Sequence, residues 1–119
     1  MWEVIFYKKE NDEVPVLKFI KSIEDIKLKA KLIRDIGLLE QYGNKLKTPH
    51  SKKITNEKYS LYELRTKQST NIIRIIYFFS KNRQIIMVNG FIKKTGKIPT
   101  REIETAKRYR DKWEVTQNE

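Results

Sequence analysis

The chain has 119 residues, enough to bury the core of one ordinary domain, and it contains no cysteine, which excludes a disulfide framework, a zinc ribbon and a thiol nucleophile. No apolar run approaches the roughly 20 residues that a membrane-spanning helix needs, and the first residues lack the order of a secretory signal, so we expect a cytoplasmic protein without a membrane partner. The formal net charge is +11, all of it in residues 44–119, and this distribution indicates a polyanion partner, most often nucleic acid, or else a protein that is merely basic.

The first 43 residues predict a strand followed by two helices. Residues 2–7, WEVIFY, are rich in β-branched and aromatic side chains and have the length of a short strand. A helix follows with Pro15 in its first turn, and a second runs from about Asp25 to Tyr42 and stops at Gly43. The two helices should form a hairpin whose apolar side packs on a sheet. The apolar stripe of the second helix is Ile26, Ala30, Ile33, Ile36 and Leu39 or Glu40.

The rest of the chain predicts a loop, three strands and a final helix. Residues 44–53 have loop chemistry, with a proline and several lysines. Residues 59–66, 71–79 and 84–91 have strand-like composition and are joined by connections of hairpin length, so they should form an antiparallel meander. Thr100 should cap a helix whose apolar stripe is Ile103, Ala106, Tyr109 and Trp113.

The register of this meander predicts two neighbouring arginines. Pairing Thr66 with Ile73 places Arg65 directly opposite Arg74, and opposite residues share a face of the sheet. Pairing Phe79 with Gln84 in the second hairpin then gives one apolar face, consisting of Tyr62, Leu64, Ile73, Ile75, Tyr77, Ile86 and Val88. The other face carries Glu63, Arg65, Arg74, Ile76, Phe78, Met87, Asn89 and Phe91, with Asn89 opposite Arg74, and Lys93 if the strand stays extended.

Two arginines opposite each other have two explanations. Like charges in this position destabilise a sheet, so the pair suggests a phosphate site, because guanidinium groups bind oxyanions through two parallel hydrogen bonds. In the alternative, one arginine pairs with Glu63 and the other extends into solvent. The sequence alone leaves both open.

Four stretches occur in an order typical of one family. They are LYELR, RIIYFF, GFIKKTGKIP and EIETAKR. On this ordered set, which spans essentially the whole chain, the sequence resembles the HigB-like, phage-derived branch of the RelE/ParE toxin superfamily, the toxins of type II toxin–antitoxin pairs.

The resemblance implies an α+β fold and an activity. Residues 1–119 would form a single RelE-like toxin domain, with an N-terminal strand and helical hairpin packed on an antiparallel β-sheet and a C-terminal helix. The protein would be an mRNA interferase, a metal-independent endoribonuclease that needs no cofactor, cleaves mRNA on the ribosome and arrests growth. Its partner would be a cognate helix-turn-helix antitoxin, HigA-like, in a heterotetramer. The alternatives are a ParE-like gyrase inhibitor and a non-catalytic RNA- or DNA-binding module.

The resemblance also implies that the basic residues that bind phosphate are Arg65, Arg74 and the Lys93–Lys94 region. Our hypothesis for the chemistry assigns Arg65 and Arg74 to the scissile phosphate, Lys93 to a phosphate clamp or a base, and Glu63 to a base or to the orientation of Arg65. Further RNA contacts would come from Asn89, Phe91, Lys94, Lys97, Lys52 and Lys53, with Phe91 or Tyr77 as a stacking platform.

One position departs from the family pattern. Many relatives have a histidine where this chain has Asn89, and the only histidine here, His50, lies far away in the sequence. The identity of the general base is therefore open. The stripe that contains Ile26, Ile33 and Ile36 would be either core or a surface for the antitoxin.

Overall fold

The computed structural model describes residues 1–55, 59–93 and 96–118. It confirms the α+β fold. The elements are β1 (Glu3–Phe6), α1 (Pro15–Ser22), α2 (Ile26–Tyr42), β2 (Ser51–Lys53), β3 (Tyr62–Gln68), β4 (Asn71–Ser80), β5 (Gln84–Lys93) and α3 (Thr100–Gln117). The sheet order is β1-β5-β4-β3-β2, and because β1 runs parallel to β5 the sheet is mixed rather than antiparallel throughout. None of the helices in the described ranges is long and apolar enough to span a membrane.

The ends of the first two helices follow from local sequence. Pro15 is the first residue of α1, where its missing N–H costs nothing because the first amides of a helix have no intrahelical partner. Asp25 caps α2 by accepting a hydrogen bond from the Leu28 amide at 3.1 Å. Gly43 ends α2 with a φ of 53°, a conformation in which most other residues would be strained. Both predicted helices are therefore confirmed, including the stop at Gly43.

The segment predicted as a loop contains a short strand. Ser51 pairs with Leu64 and Lys53 pairs with Tyr62, so β2 lies at the edge of the sheet beside β3. The prediction was wrong here because pairing with a neighbouring strand outweighed the polar composition of the segment. This strand brings two of the predicted RNA-binding lysines next to the arginine face.

The predicted register is confirmed in the first hairpin and wrong in the second. Arg65 lies opposite Arg74, as predicted. In the second hairpin Ser80, not Phe79, pairs with Gln84, and a β-bulge follows between Ile76 and Tyr77. The turn is one residue shorter than assumed, and Asn82 and Arg83 both adopt positive φ in it. The turn shifts the partners of β4 by one residue and the bulge shifts them by another, so Phe91 rather than Asn89 lies opposite Arg74.

The register shift exchanges residues of β5 between the two core layers. Ile86 and Val88, predicted beneath the helical hairpin, pack instead in the layer under α3. Met87 makes the opposite exchange and is fully buried beneath α1 and α2. The bulge leaves Val88 without a partner on β4 and restores the predicted face for the residues after it. Helices α1 and α2 cover one face of the sheet, and α3 covers part of the other.

The exposed side of α2 is more apolar than a solvent-facing helix surface requires. Ile36 is buried, but Ile26 is 83% and Ile33 is 53% exposed. The prediction that this stripe belongs to the core is therefore wrong for two of its isoleucines. The alternative, a surface for the antitoxin, stays a prediction.

The phenol of Tyr77 is buried against the hydroxyl of Ser51, to which it is hydrogen-bonded. Burial raises the pKa of Tyr77 to about 12, although the bond to Ser51 acts in the opposite direction. The unfolded chain ionises first, near pH 10, so Tyr77 contributes stability below pH 10 that is lost as the pH rises towards 12.

We expect the free energy of unfolding of the parent protein to fall by about 2 kcal/mol more than that of Tyr77→Phe between about pH 9 and about pH 11.5. Urea titrations of both proteins at the two pH values measure this difference. Because Tyr77→Phe also removes the bond to Ser51, each protein is compared with itself at pH 9. Equal losses of unfolding free energy in the two proteins at the higher pH would contradict the prediction.

Candidate active site

A cleft of about 760 Å³ opens on the arginine face of the sheet. Its floor comes from β3 and β4, one wall comes from β2, and the other comes from the start of α3 and the residues before it. The cleft is lined by Lys52, Lys53, Ile54, Glu63, Arg65, Lys67, Ile72, Arg74, Gly96, Lys97, Ile98, Thr100 and Ile103. Six of these side chains are cationic and one is acidic, so the cleft is suited to an anionic ligand.

Glu63 lies between the two arginines and separates their charges. One of its carboxylate oxygens accepts a hydrogen bond from Arg74 Nη1 at 3.0 Å and lies 3.1 Å from Arg65 Nε. The Arg65 contact is an ion pair without hydrogen-bond alignment, because Nε is left without a hydrogen-bond partner. The alternative explanation is therefore partly right, since Glu63 pairs with both arginines and not with one, while the phosphate site stays a prediction.

The two arginines differ in accessibility. Arg74 is 4% exposed, and its second terminal nitrogen is 3.4 Å from the carbonyl of Gly96. The Arg65 side chain is 30% exposed, and within the described residues Glu63 is the only carboxylate at ion-pair distance from it. Arg74 is thus largely sealed, whereas Arg65 lines the cleft with a partly exposed side chain.

The helix α3 closes one half of this face and leaves the other half open. The side-chain nitrogen of Asn89, Nδ2, donates to the Glu102 backbone carbonyl at 3.2 Å and to the Glu102 carboxylate at 3.1 Å. Farther along, Arg110 donates to the carbonyl of Tyr59 and lies 4.5 Å above the ring of Phe78. Asn89 is 6% exposed, so we assign it to the positioning of α3 instead of to the predicted RNA contact.

The remaining predicted residues fall into three groups. Lys52 and Lys97 line the cleft, as does Lys53, whose amine also lies 5.7 Å from the centre of the Tyr62 ring. Lys93 pairs with Ile72 and Phe91 pairs with Arg74, so both belong to the arginine face; Phe91 is half-buried against the layer under α3. The fourth RNA-binding lysine, Lys94, lies outside the described residues.

Sequence reasoning missed several residues around the cleft. Lys67 could have been found, because it follows Arg65 by two positions and therefore shares its face. Thr100 and Ile103 could not, because they reach the cleft only through the docking of α3. Outside the cleft, there was also no local signal in the sequence for Asp35, which is 1% exposed on α2 and accepts a hydrogen bond from Thr66 at 2.7 Å.

The family model of phage-derived Gp49-like proteins matches residues 18–111 of the chain. The chain belongs to the phage-derived Gp49-like family. This is a RelE/HigB-like toxin-type family. The matched range of this Gp49-like chain contains both arginines, Glu63, every other predicted site residue, and α2 through most of α3. A comparison with curated proteins finds no significant match.

Proposed function

We propose that the protein is a HigB-type toxin of a type II toxin–antitoxin system, a cytoplasmic mRNA interferase that cleaves mRNA on the ribosome. The observation that carries the proposal is the cationic cleft around Arg65, Glu63 and Arg74 in a chain of a toxin-type family. A helix-turn-helix antitoxin of the HigA type would neutralise the toxin, in a heterotetramer. The whole chain would act as one RelE-like domain.

The chemistry proposed for the cleft is attack of a ribose 2′-hydroxyl on the adjacent phosphate. A bond forms between the 2′ oxygen and phosphorus while the bond to the 5′ oxygen breaks, a base takes the 2′ proton, and an acid protonates the leaving 5′ oxygen. Negative charge accumulates on the non-bridging oxygens in between. Fixed cationic donors that point at those oxygens lower the barrier without reorganising during the reaction.

Each side chain of the arginine group has a role that its environment supports. Arg65 has accessible donors and would bind the non-bridging oxygens. Glu63 is buried between two cations, which favours an orienting role over that of a base. Arg74 would hold Glu63 in place and add positive potential from below. Lys93, on the same face, is the candidate base or clamp, and Lys52, Lys53 and Lys97 would bind flanking phosphates.

Induced expression followed by mapping of mRNA 5′ ends tests this function. New 5′ ends inside translated reading frames are the expected result, and they should disappear when translation initiation is blocked. DNA damage without new RNA ends would overturn the nuclease in favour of gyrase inhibition. Harmless expression with salt-sensitive RNA binding would overturn it in favour of a non-catalytic module.

A further inference from the structure

We infer that single-stranded RNA continues past Arg65 into a second pocket, on the α2 side of the sheet edge, where Lys31, Arg34 and Lys67 bind its phosphates. This inference rests on the proposed function, because it extends the track of the same RNA substrate. The second pocket has a volume of about 380 Å³, within the range of about 300–1,000 Å³ that is usual for ligand sites.

The second pocket adjoins the cleft. Arg65, Lys67 and Ile72 line both. The two cavities lie side by side where β2 has ended, because β2 pairs only with Tyr62–Leu64 and does not extend along the last residues of β3. At Arg65 the sheet edge is in contact with the backbone at His50, so the path between the cavities runs over the side chains that they share.

Three contacts between the sheet and its surroundings position the second pocket. The Lys31 amine donates to the carbonyl of Lys67, and the hydroxyl of Thr66 donates to the Asp35 carboxylate at 2.7 Å. These bonds join α2 to β3. On the other side, the Arg65 amide donates to the His50 carbonyl at 2.8 Å. The cations of the pocket are thus attached to ordered elements and not to free ends of the chain.

The charge of the second pocket favours an anion. Four cationic side chains line it, from Lys31, Arg34, Arg65 and Lys67. Its one acidic residue, Asp35, is buried, bonded to Thr66 and 3.4 Å from the guanidinium of Arg34, so it contributes little negative potential at the surface.

The pocket also has apolar surface. Pro49 and Ile72 lie among its cations. A ligand that fits both the cations and this apolar surface has regularly spaced negative charges and flat, partly apolar groups. Single-stranded RNA has both, in its phosphates and its bases. The pocket is too small to admit a duplex, whose bases are in addition stacked away from such a wall.

Binding of two uridine oligonucleotides tests the inference. Both carry 2′-O-methyl groups, which remove the attacking hydroxyl and prevent cleavage; one has about eight nucleotides and the other about three. In the Lys31→Gln/Arg34→Gln protein we expect the affinity for the longer RNA to fall about tenfold. The shorter RNA fits within the cleft, so its affinity should fall by no more than about twofold. The slope of log K against log salt for the longer RNA should become shallower by about 1.4, from two phosphate contacts.

A matched control removes the same charge elsewhere. Lys21→Gln/Lys81→Gln changes two exposed lysines that line neither cavity, and it should bind the longer RNA within about twofold of the parent. The single variant Lys31→Gln keeps the Arg34–Asp35 contact and repeats the test if the double variant unfolds.

The outcomes separate this inference from the proposed function. Equal affinities of the Lys31→Gln/Arg34→Gln protein and the control would overturn the second pocket, while loss of binding in Arg65→Ala would still support the cleft. Duplex RNA that binds as tightly as the longer single strand would also overturn it. A parent protein that binds neither oligonucleotide would overturn the second pocket as a site for single-stranded RNA, while new mRNA 5′ ends in translated reading frames would still support the proposed function.

Discussion

Replacing Arg65 with alanine should lower the rate of RNA cleavage by about 10²–10³-fold, the usual cost of removing one preorganised donor from a transition state. The measurement is single-turnover cleavage of ribosome-bound mRNA, with growth arrest on induced expression as the cellular readout. Arg65 is the sharpest site for this test because its side chain is partly exposed and Arg74 remains paired with Glu63 in its absence. The loss should therefore appear in activity and only weakly in stability.

Two controls separate the guanidinium group from charge in general. Arg65→Lys keeps the charge but loses the planar fork of donors, so it should recover only part of the activity. Arg83→Ala removes an exposed arginine that contacts Trp2 at the distant turn between β4 and β5, and it should cleave at the parental rate. Growth arrest by the folded Arg65→Ala protein equal to that of the parent would remove Arg65 from the mechanism.

Replacing Glu63 with alanine should destabilise the fold by about 3–5 kcal/mol, as expected when one partner of a buried ion pair is removed. Arg74 is 4% exposed and donates to the Glu63 carboxylate at 3.0 Å, so the substitution leaves a buried cation without its counter-charge. Urea unfolding monitored by tryptophan fluorescence measures the effect. The same burial means that Arg74→Ala is a poorer test of catalysis, because it disturbs folding as well.

A double variant identifies the cause of that loss. Glu63→Leu/Arg74→Met replaces the pair with apolar side chains, and such replacements are often neutral or stabilising. It should recover most of the stability that Glu63→Ala loses. The exposed Glu104→Ala change provides the reference for removing a carboxylate at the surface, where losses stay within about 0.5 kcal/mol. A double variant as unstable as Glu63→Ala would point to packing and not to charge.

The first hairpin could be predicted because its pattern allows one register only. A shift by one residue between β3 and β4 would turn Leu64 away from the core beneath α1 and α2 and place Glu63 and Arg65 there, so the facing of Arg65 and Arg74 followed from the pattern of β3. The second hairpin could not be fixed in this way. Its strands are apolar on both faces, since α3 covers what the first helices do not, and the pattern tolerates the shift that the turn and the bulge impose.

The part of the candidate site that lies in the first hairpin could be predicted, and the parts that other elements contribute could not. The arginines and Glu63 lie within one hairpin, so strand alternation alone brings them together. Features that depend on separate elements were missed or misplaced: β2 as a wall of the cleft, Asn89 as the anchor of α3, and Asp35 beneath Thr66. Each of these depends on contacts between segments distant in sequence, which composition and periodicity do not encode.

The short β2 has a consequence for solubility. Beyond Leu64 the outer side of β3 has no strand partner within the described ranges, and unpaired strand edges can recruit other chains and start aggregation. Lys31 places a charged amine on the Lys67 carbonyl at this edge, and lysines at such positions are a common protection against edge-to-edge association. The protein would therefore resist association through this edge, where the Arg65 amide is also bonded to the His50 carbonyl.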